Sequence, residues 1–153
     1  MTGSYREIEH HGNRYQSGSA GNINSKTIRH IVSAPNHIRA WRRSLYESIG
    51  GHNKCLPVAD DYELIVRTFL ATRMARIPKL CYLQQIGNTA QRGRNGDIHR
   101  HVRSIRDHYD RAIHERLLAL GCDDFAWDEK RACADLFLPN PQVESHATLI
   151  ADI

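Results

Sequence analysis

Residues 59–74, ADDYELIVRTFLATRM, carry the clearest structural signal in the sequence. Their apolar side chains recur every three or four positions, which is the spacing of a helix with one buried face. The recurring residues are Tyr62, Ile65, Val66, Phe69 and Leu70. Asp60 and Glu63 occupy the N-cap and N3 positions of a capping box, so we expect a helix from Asp61 to about Met74.

A longer amphipathic pattern follows over residues 97–120. Its apolar positions also recur at helical spacing, and they are Ile98, Val102, Ile105, Tyr109, Ala112, Ile113, Leu117 and Leu120. Asp97 can cap the start of this helix and Gly121 can end it in a left-handed conformation. The sequence therefore predicts a helix of about 24 residues, whose polar face carries arginines among histidines and aspartates.

Shorter segments predict strands and one further helix. Tyr5, Glu7 and Glu9 alternate with Arg6, Ile8 and His10, and a turn pair follows at Gly12 and Asn13, so we expect a short hairpin over residues 5–15. Residues 76–84 are typical of a strand, and Ser44 can begin a short helix that ends at Gly50 and Gly51. Strands before and after helices indicate the α/β class.

Length and composition limit the class of protein. At 153 residues the chain is long enough for one domain. It contains no apolar run of 18 residues and no apolar segment near its start, so we expect no membrane span, no export signal and a cytoplasmic location. Its 4 cysteines form no CxxC pair, which favours reduced, mostly buried thiols.

Charge is distributed unevenly along the chain. Residues 1–120 contain 19 Lys and Arg against 10 Asp and Glu, whereas residues 121–153 contain 2 against 7. Most of the basic residues are arginines, whose planar guanidinium suits phosphate and carboxylate ligands. A basic body is compatible with a phosphate-bearing partner and equally with a solvated surface.

The acidic residues at positions 60, 61 and 63 stand out within this basic body. One interpretation is structural, because carboxylates in the first turn cap a helix and complement its dipole. The other is catalytic, because a carboxylate fixed at a helix start beside a loop can accept a proton from a substrate hydroxyl. Local spacing alone leaves both interpretations open.

The residues around this cluster resemble a known family. The segment 40–67, AWRRSLYESIGGHNKCLPVADDYELIVR, is similar to the second half of family 2 glycosyltransferases of the GT-A fold. Those enzymes show an Arg-Arg-Ser segment, a short helix ending in Gly-Gly, a loop, and an acidic Glu-Asp-Tyr-Asp/Glu-Leu helix start followed by an Arg. With weaker similarities on either side, the resemblance covers residues 3–128.

The resemblance implies roles for particular residues. Asp61 matches the aspartate that acts as general base, activating an acceptor hydroxyl for inverting attack on the anomeric carbon of a nucleotide sugar. Asp60 takes the place of the family's glutamate, and as the shorter carboxylate it reaches less far toward an acceptor. The implied acceptor- and donor-binding positions are Asp60, Arg42, Arg43, Arg92 and Arg94.

The family's donor half is not found in the sequence. That half ends in an Asp-X-Asp motif that holds a divalent metal, Mg or Mn, on the sugar diphosphate, and nothing before Tyr5 resembles it. We therefore expect residues 1–128 to form a partial GT-A-like α/β domain, with a few strands, an acceptor-site helix and a long C-terminal amphipathic helix. Residues 129–153 should form an acidic, partly disordered tail.

The expected partners are a nucleotide-sugar donor and a sugar or other hydroxyl acceptor, with a separate donor-binding half as a further candidate. A gene fragment, a split enzyme and a non-catalytic remnant all fit this pattern. The alternative functions are a basic nucleic-acid-binding module and a non-catalytic interaction domain. The long helix disfavours nucleic acid, because its 5 Arg are nearly balanced by 4 acidic residues.

Overall fold

The computed structural model describes residues 5–10, 13–18, 23, 25, 27–29, 39–75, 83–86 and 95–122. Three short strands form one sheet: β1 (Tyr5–His10), β2 (Asn13–Gly18) and β3 (Leu83–Ile86). β2 lies in the centre and pairs antiparallel with both neighbours. Asn13 is the first residue of β2 and pairs with His10, so it belongs to the strand and not to the predicted turn.

Three helices make up most of the remaining described chain. They are α1 (Arg43–Ser48), α2 (Asp60–Ala71) and α3 (Asn95–Ala119). Both long helices are found where the periodicity placed them, but α2 ends at Ala71 because Thr72 is already extended, with φ −154°. Asp97 does not cap α3, because the helix begins at Asn95 and Asp97 lies within its first turn. Gly50 and Gly51 after α1, and Gly121 after α3, have positive φ, as expected for glycines that end a helix.

Helices α2 and α3 pack against each other and enclose the core. Their buried apolar residues are Tyr62, Ile65, Val66 and Phe69 of α2 and Val102, Ile105, Ile113 and Leu117 of α3. Ile23 and Ile28, which precede both helices in the sequence, belong to the same buried cluster. The Tyr62 hydroxyl donates a hydrogen bond to the Ile28 carbonyl at 2.9 Å, which satisfies a buried polar group within this core.

The predicted α/β class is wrong. The three helices comprise 6, 12 and 25 residues, whereas the strands comprise only 6, 6 and 4. None of the described strands pairs in parallel, although parallel pairing is what defines an α/β sheet. Strands joined by a hairpin must pair antiparallel, since a parallel pair needs a long crossover. The described chain is therefore mostly helical and does not form a GT-A-like domain.

Several sequence predictions fall wholly or partly outside the described residues. Only the end of the strand predicted over residues 76–84 is described, within β3. The acidic tail at 129–153, and with it the proposed division at residue 128, lies outside the described ranges.

The cysteine prediction is corrected at two positions. Cys55 is free but exposed, and Cys122 is buried and disulfide-bonded, so neither is a buried reduced thiol.

None of the described helices combines the length and apolarity needed to cross a bilayer.

Candidate functional site

The start of α2 is built differently from the capping box predicted for it. Ala59 is the N-cap residue, with φ 61° and ψ 18°, and Asp60 is the first helical residue. No side chain caps the helix at Ala59. A left-handed conformation is unfavourable for a residue with a Cβ atom, and such strain is often found at functional sites. Asp60 and Asp61 are thus residues of the first helical turn, and neither occupies the N-cap position.

Asp61 is held by two hydrogen bonds at the helix start. Its Oδ2 accepts from Nη1 of Arg39 at 2.8 Å, and its Oδ1 accepts from the backbone N–H of Tyr62 at 2.8 Å. The Arg39 side chain is 14% exposed and that of Asp61 is 43% exposed. The arginine is thus mostly enclosed while the carboxylate it orients remains open to solvent.

The segment that carries Arg39 is itself fixed to α2. The indole Nε1 of Trp41 donates a hydrogen bond to Oγ1 of Thr68 at 2.8 Å, and the Thr68 side chain is buried. Trp41 also makes an edge contact with the ring of Tyr46, with centroids 6.5 Å apart. Because Arg39 lies two positions before this anchor, its guanidinium approaches Asp61 from a constrained segment.

Asp60 contacts a different partner. Its Oδ2 lies 2.9 Å from Nδ1 of His52, and both side chains are more than two fifths exposed. The backbone N–H of His52 donates to the Tyr46 hydroxyl at 3.1 Å. Asp60 and Asp61 are therefore adjacent in sequence but bind partners from two different parts of the 39–59 segment.

Glu63 is buried and does not cap the helix. Its carboxylate binds Arg67 one turn later through two bonds, Nε to Oε1 at 2.8 Å and Nη2 to Oε2 at 2.6 Å. The Tyr109 hydroxyl of α3 donates to Oε1 at 2.7 Å. Burial, together with the bond to Glu63, raises the pKa of Tyr109 to about 12, and the same carboxylate raises the pKa of Arg67. The buried ion pair lies within α2, and the neutral phenol of Tyr109 links it to α3.

Arg67 also fixes the turn after α1. Its guanidinium donates to the backbone carbonyls of Ile49 and Gly51, the latter at 2.6 Å. Gly51 has φ 60°, and a Cβ atom there would lie 2.8 Å from the Tyr46 ring. The backbone immediately before His52 is thus held by Arg67 on one side and by Tyr46 on the other.

The predicted arginine positions do not converge on the acidic pair. Arg43 is exposed and forms an ion pair with Glu47 of its own helix at 2.7 Å. Arg42 is the exposed N-cap residue of α1, and its side chain makes no cap hydrogen bond. Arg92 and Arg94 lie outside the described residues. The arginine that contacts Asp61 is Arg39, which the sequence did not single out.

The acidic pair does not fit a divalent metal. Each carboxylate is already bound to a cationic or imidazole side chain, Asp61 to Arg39 and Asp60 to His52. Within the described ranges, no group of three or more His, Cys, Asp or Glu side chains is arranged to hold a metal ion. The Mg or Mn ion implied by the resemblance therefore has no site among these described residues.

Sequence reasoning found the acidic pair but missed its partners. The spacing of Glu63 and Arg67, four positions apart, is a usable signal for an ion pair within a helix. No comparable local signal joins Asp61 to Arg39 across 22 positions, or Glu63 to Tyr109 across 46. Those contacts depend on how the 39–59 segment and α3 pack on α2.

Comparisons with known proteins identify no relative for this chain. No protein-family model matches it, and no significant match was found among curated proteins or solved structures.

Proposed function

We propose that this chain provides the acceptor side of an inverting glycosyl transfer from a nucleotide sugar to a hydroxyl group, with Asp61 as the general base. The observation that carries the proposal is the position of Asp61, an open carboxylate oriented by the enclosed Arg39 at the start of α2. The likeness of residues 40–67 to the acceptor segment of family 2 glycosyltransferases supports the same role.

The chemistry asked of Asp61 is a single proton transfer. The carboxylate accepts the proton of the acceptor hydroxyl while that oxygen forms a bond to the anomeric carbon of the donor. The bond from that carbon to the nucleoside diphosphate breaks on the opposite face, and the diphosphate leaves with the electron pair. A positioned base of this kind contributes about 10²- to 10⁴-fold to the rate.

Arg39 and the N–H of Tyr62 assist by fixing the direction of the carboxylate. Each occupies one carboxylate oxygen, and an oxygen of an ionised carboxylate has a second lone pair for another donor. The side chain therefore retains capacity for a hydroxyl group without losing either contact. Orientation of this kind lowers the barrier by holding the reacting atoms close to their productive geometry.

A transfer assay with a matched control tests the proposal. The full chain is joined to the donor-binding half of a nucleotide-sugar transferase, and glycoside formation is measured for the parent, Asp61→Asn and Asp97→Asn. Asp97 is the control because it is also an exposed aspartate in a first helical turn, paired with Arg100 at 2.7 Å. We expect Asp61→Asn to lose at least about 100-fold in rate, while Asp97→Asn matches the parent.

Two results would overturn the proposal. One is a transfer rate of Asp61→Asn within twofold of the parent. The other is a parent protein that forms no glycoside with any nucleotide sugar while remaining folded by circular dichroism.

A nucleic-acid-binding function is less well supported by the same residues. Three of the five arginines on α3 pair with acidic neighbours on that helix: Arg100 with Asp97, Arg106 with Asp107, and Arg111 with Glu115. Paired arginines give a weak field for a polyanion. A salt titration of binding to duplex DNA separates the two functions, because phosphate contacts produce a steep dependence of affinity on salt concentration.

A further inference from the structure

We propose that His52 binds the acceptor: its imidazole Nε2 accepts a hydrogen bond from an acceptor hydroxyl group, and Asp60 is the positioning residue behind it. This inference rests on the proposed function and names a second contact for its substrate. It concerns a residue that neither the sequence pattern nor the resemblance assigned to the site.

The orientation of His52 is fixed from several directions. Asp60 lies 2.9 Å from Nδ1, and the Tyr46 hydroxyl accepts the backbone N–H of His52. The ring of Tyr46 also lies beside the imidazole, with centroids 6.1 Å apart. Arg67 binds the carbonyl of Gly51, the preceding residue. The backbone of His52 and one nitrogen of its ring are therefore both held by hydrogen bonds.

The ring leaves one nitrogen available. Among the described residues, the only side-chain hydrogen bond of His52 is the one at Nδ1. A carboxylate accepts hydrogen bonds and does not donate them, so the neutral imidazole places its proton on Nδ1 and keeps a lone pair on Nε2. With 44% of the side chain exposed, that lone pair is accessible to a hydroxyl donor.

The contact between His52 and Asp60 also explains how an aspartate can contribute to acceptor binding at position 60. An aspartate reaches less far from the helix than the glutamate found there in the resembling family. Here Asp60 does not need to reach the acceptor, because the imidazole bound to it extends the polar contact outward. Asp60 and Asp61 then have different tasks: Asp60 orients a binding residue, and Asp61 accepts the proton.

The same geometry selects a class of ligand. A lone pair on Nε2 favours hydroxyl donors, while the negative charge of Asp60 behind the ring disfavours carboxylates and phosphates. A neutral polyhydroxylated acceptor, such as a pyranoside, meets both conditions. His52 provides one hydrogen bond to it, whose loss should weaken binding by about tenfold.

Nuclear magnetic resonance on the full chain tests the inference without a donor. Long-range correlation of the His52 ring nitrogens should report the Nδ1–H tautomer in the parent and its loss in Asp60→Ala. The protein is then titrated with methyl β-glucopyranoside, methyl β-galactopyranoside and methyl α-mannopyranoside. We expect saturable shifts of the His52 ring with at least one glycoside, an affinity lowered about tenfold in His52→Ala, and parent affinity in Asp97→Asn.

The results that contradict the inference differ from those that contradict the proposed function. Binding of a glycoside that leaves the His52 ring unshifted overturns the inference, as does parent affinity in His52→Ala or the absence of binding by all three glycosides. Saturable binding that depends on His52, combined with no transfer in the fused protein, contradicts the transferase proposal and leaves His52 as a hydroxyl-binding residue.

Discussion

At the scale of single residues, two ion pairs with the same sequence spacing differ in how deeply they are buried. Glu63 and Arg67 are four positions apart in α2, as Arg111 and Glu115 are in α3. The Glu63 side chain is 6% exposed, whereas both members of the α3 pair are largely exposed. Exposed pairs contribute little to stability, but removing one partner of a buried pair leaves an uncompensated charge.

Replacing the two arginines should therefore give different results. We expect Arg67→Met to lower the free energy of unfolding by about 3 kcal/mol, because Glu63 is left buried without its cation. Adding Glu63→Gln to that variant should recover part of the loss, since it removes the unpaired charge. Arg111→Met should unfold at the same urea concentration as the parent. Equal effects of the two single substitutions would contradict the role assigned to the buried pair.

Two tyrosines make stability depend on pH in the alkaline range. Burial raises the pKa of Tyr62 and, together with the bond to Glu63, that of Tyr109 from the ordinary value of 10.0 to about 12. The fold thus favours the neutral phenols, so their stabilisation is complete below pH 10 and is lost as pH rises through 12. Urea unfolding at pH 9, 10 and 11 should show decreasing stability, with a shallower decrease in Tyr109→Phe. An identical decrease in that variant would contradict the shift assigned to Tyr109.

At the scale of elements, the turn between α1 and α2 organises the site. Gly50 and Gly51 both have positive φ, and they allow the chain to reverse directly after α1. The reversal brings the Gly51 carbonyl to Arg67 and places His52 opposite Asp60. The sequence predicted the glycine end of the helix, but not that the turn would be bound by a side chain of α2.

Two glycine substitutions separate backbone strain from steric overlap. Gly51 and Gly121 both have positive φ, yet a Cβ atom would lie 2.8 Å from the Tyr46 ring at Gly51 and in open space at Gly121. We expect Gly121→Ala to cost about 1 kcal/mol of folding free energy, and Gly51→Ala about 3 kcal/mol. Thermal unfolding measures both, and a cost at Gly51 no larger than at Gly121 would show that Tyr46 does not restrict the turn.

At the scale of the whole molecule, the contact between α2 and α3 forms the core of the described helices. Periodicity predicted both helices and their apolar faces, because a 3.6-residue repeat is a local property of the sequence. The class was mispredicted because strand pairing depends on segments far apart, and the hairpin strands join β3 across more than 60 positions. The acidic residues at 60 and 61 stand out from their neighbours in the local sequence. The link of Asp61 to Arg39 and the link of Glu63 to Tyr109 depend on residues 22 and 46 positions away, which a local pattern does not reveal.

The two adjacent leucines near the end of α3 test this packing. Leu117 is fully buried in the core, whereas Leu118 is 54% exposed. We expect Leu117→Ala to lower the free energy of unfolding by about 3 kcal/mol through the cavity it creates. Leu118→Ala should stay within about 0.5 kcal/mol of the parent. Urea unfolding distinguishes the two, and similar losses would mean that α3 presents a different face to α2.

The central claim is that Asp61 accepts the proton of the acceptor while Asp60 positions His52 to bind it. Steady-state kinetics of the fused protein tests this claim most directly. Asp61→Asn should lower kcat at least about 100-fold with little change in the KM for the acceptor. Asp60→Ala should raise that KM about tenfold while keeping most of kcat, since it loosens the binding residue His52. A kcat of Asp61→Asn close to that of the parent would contradict the claim.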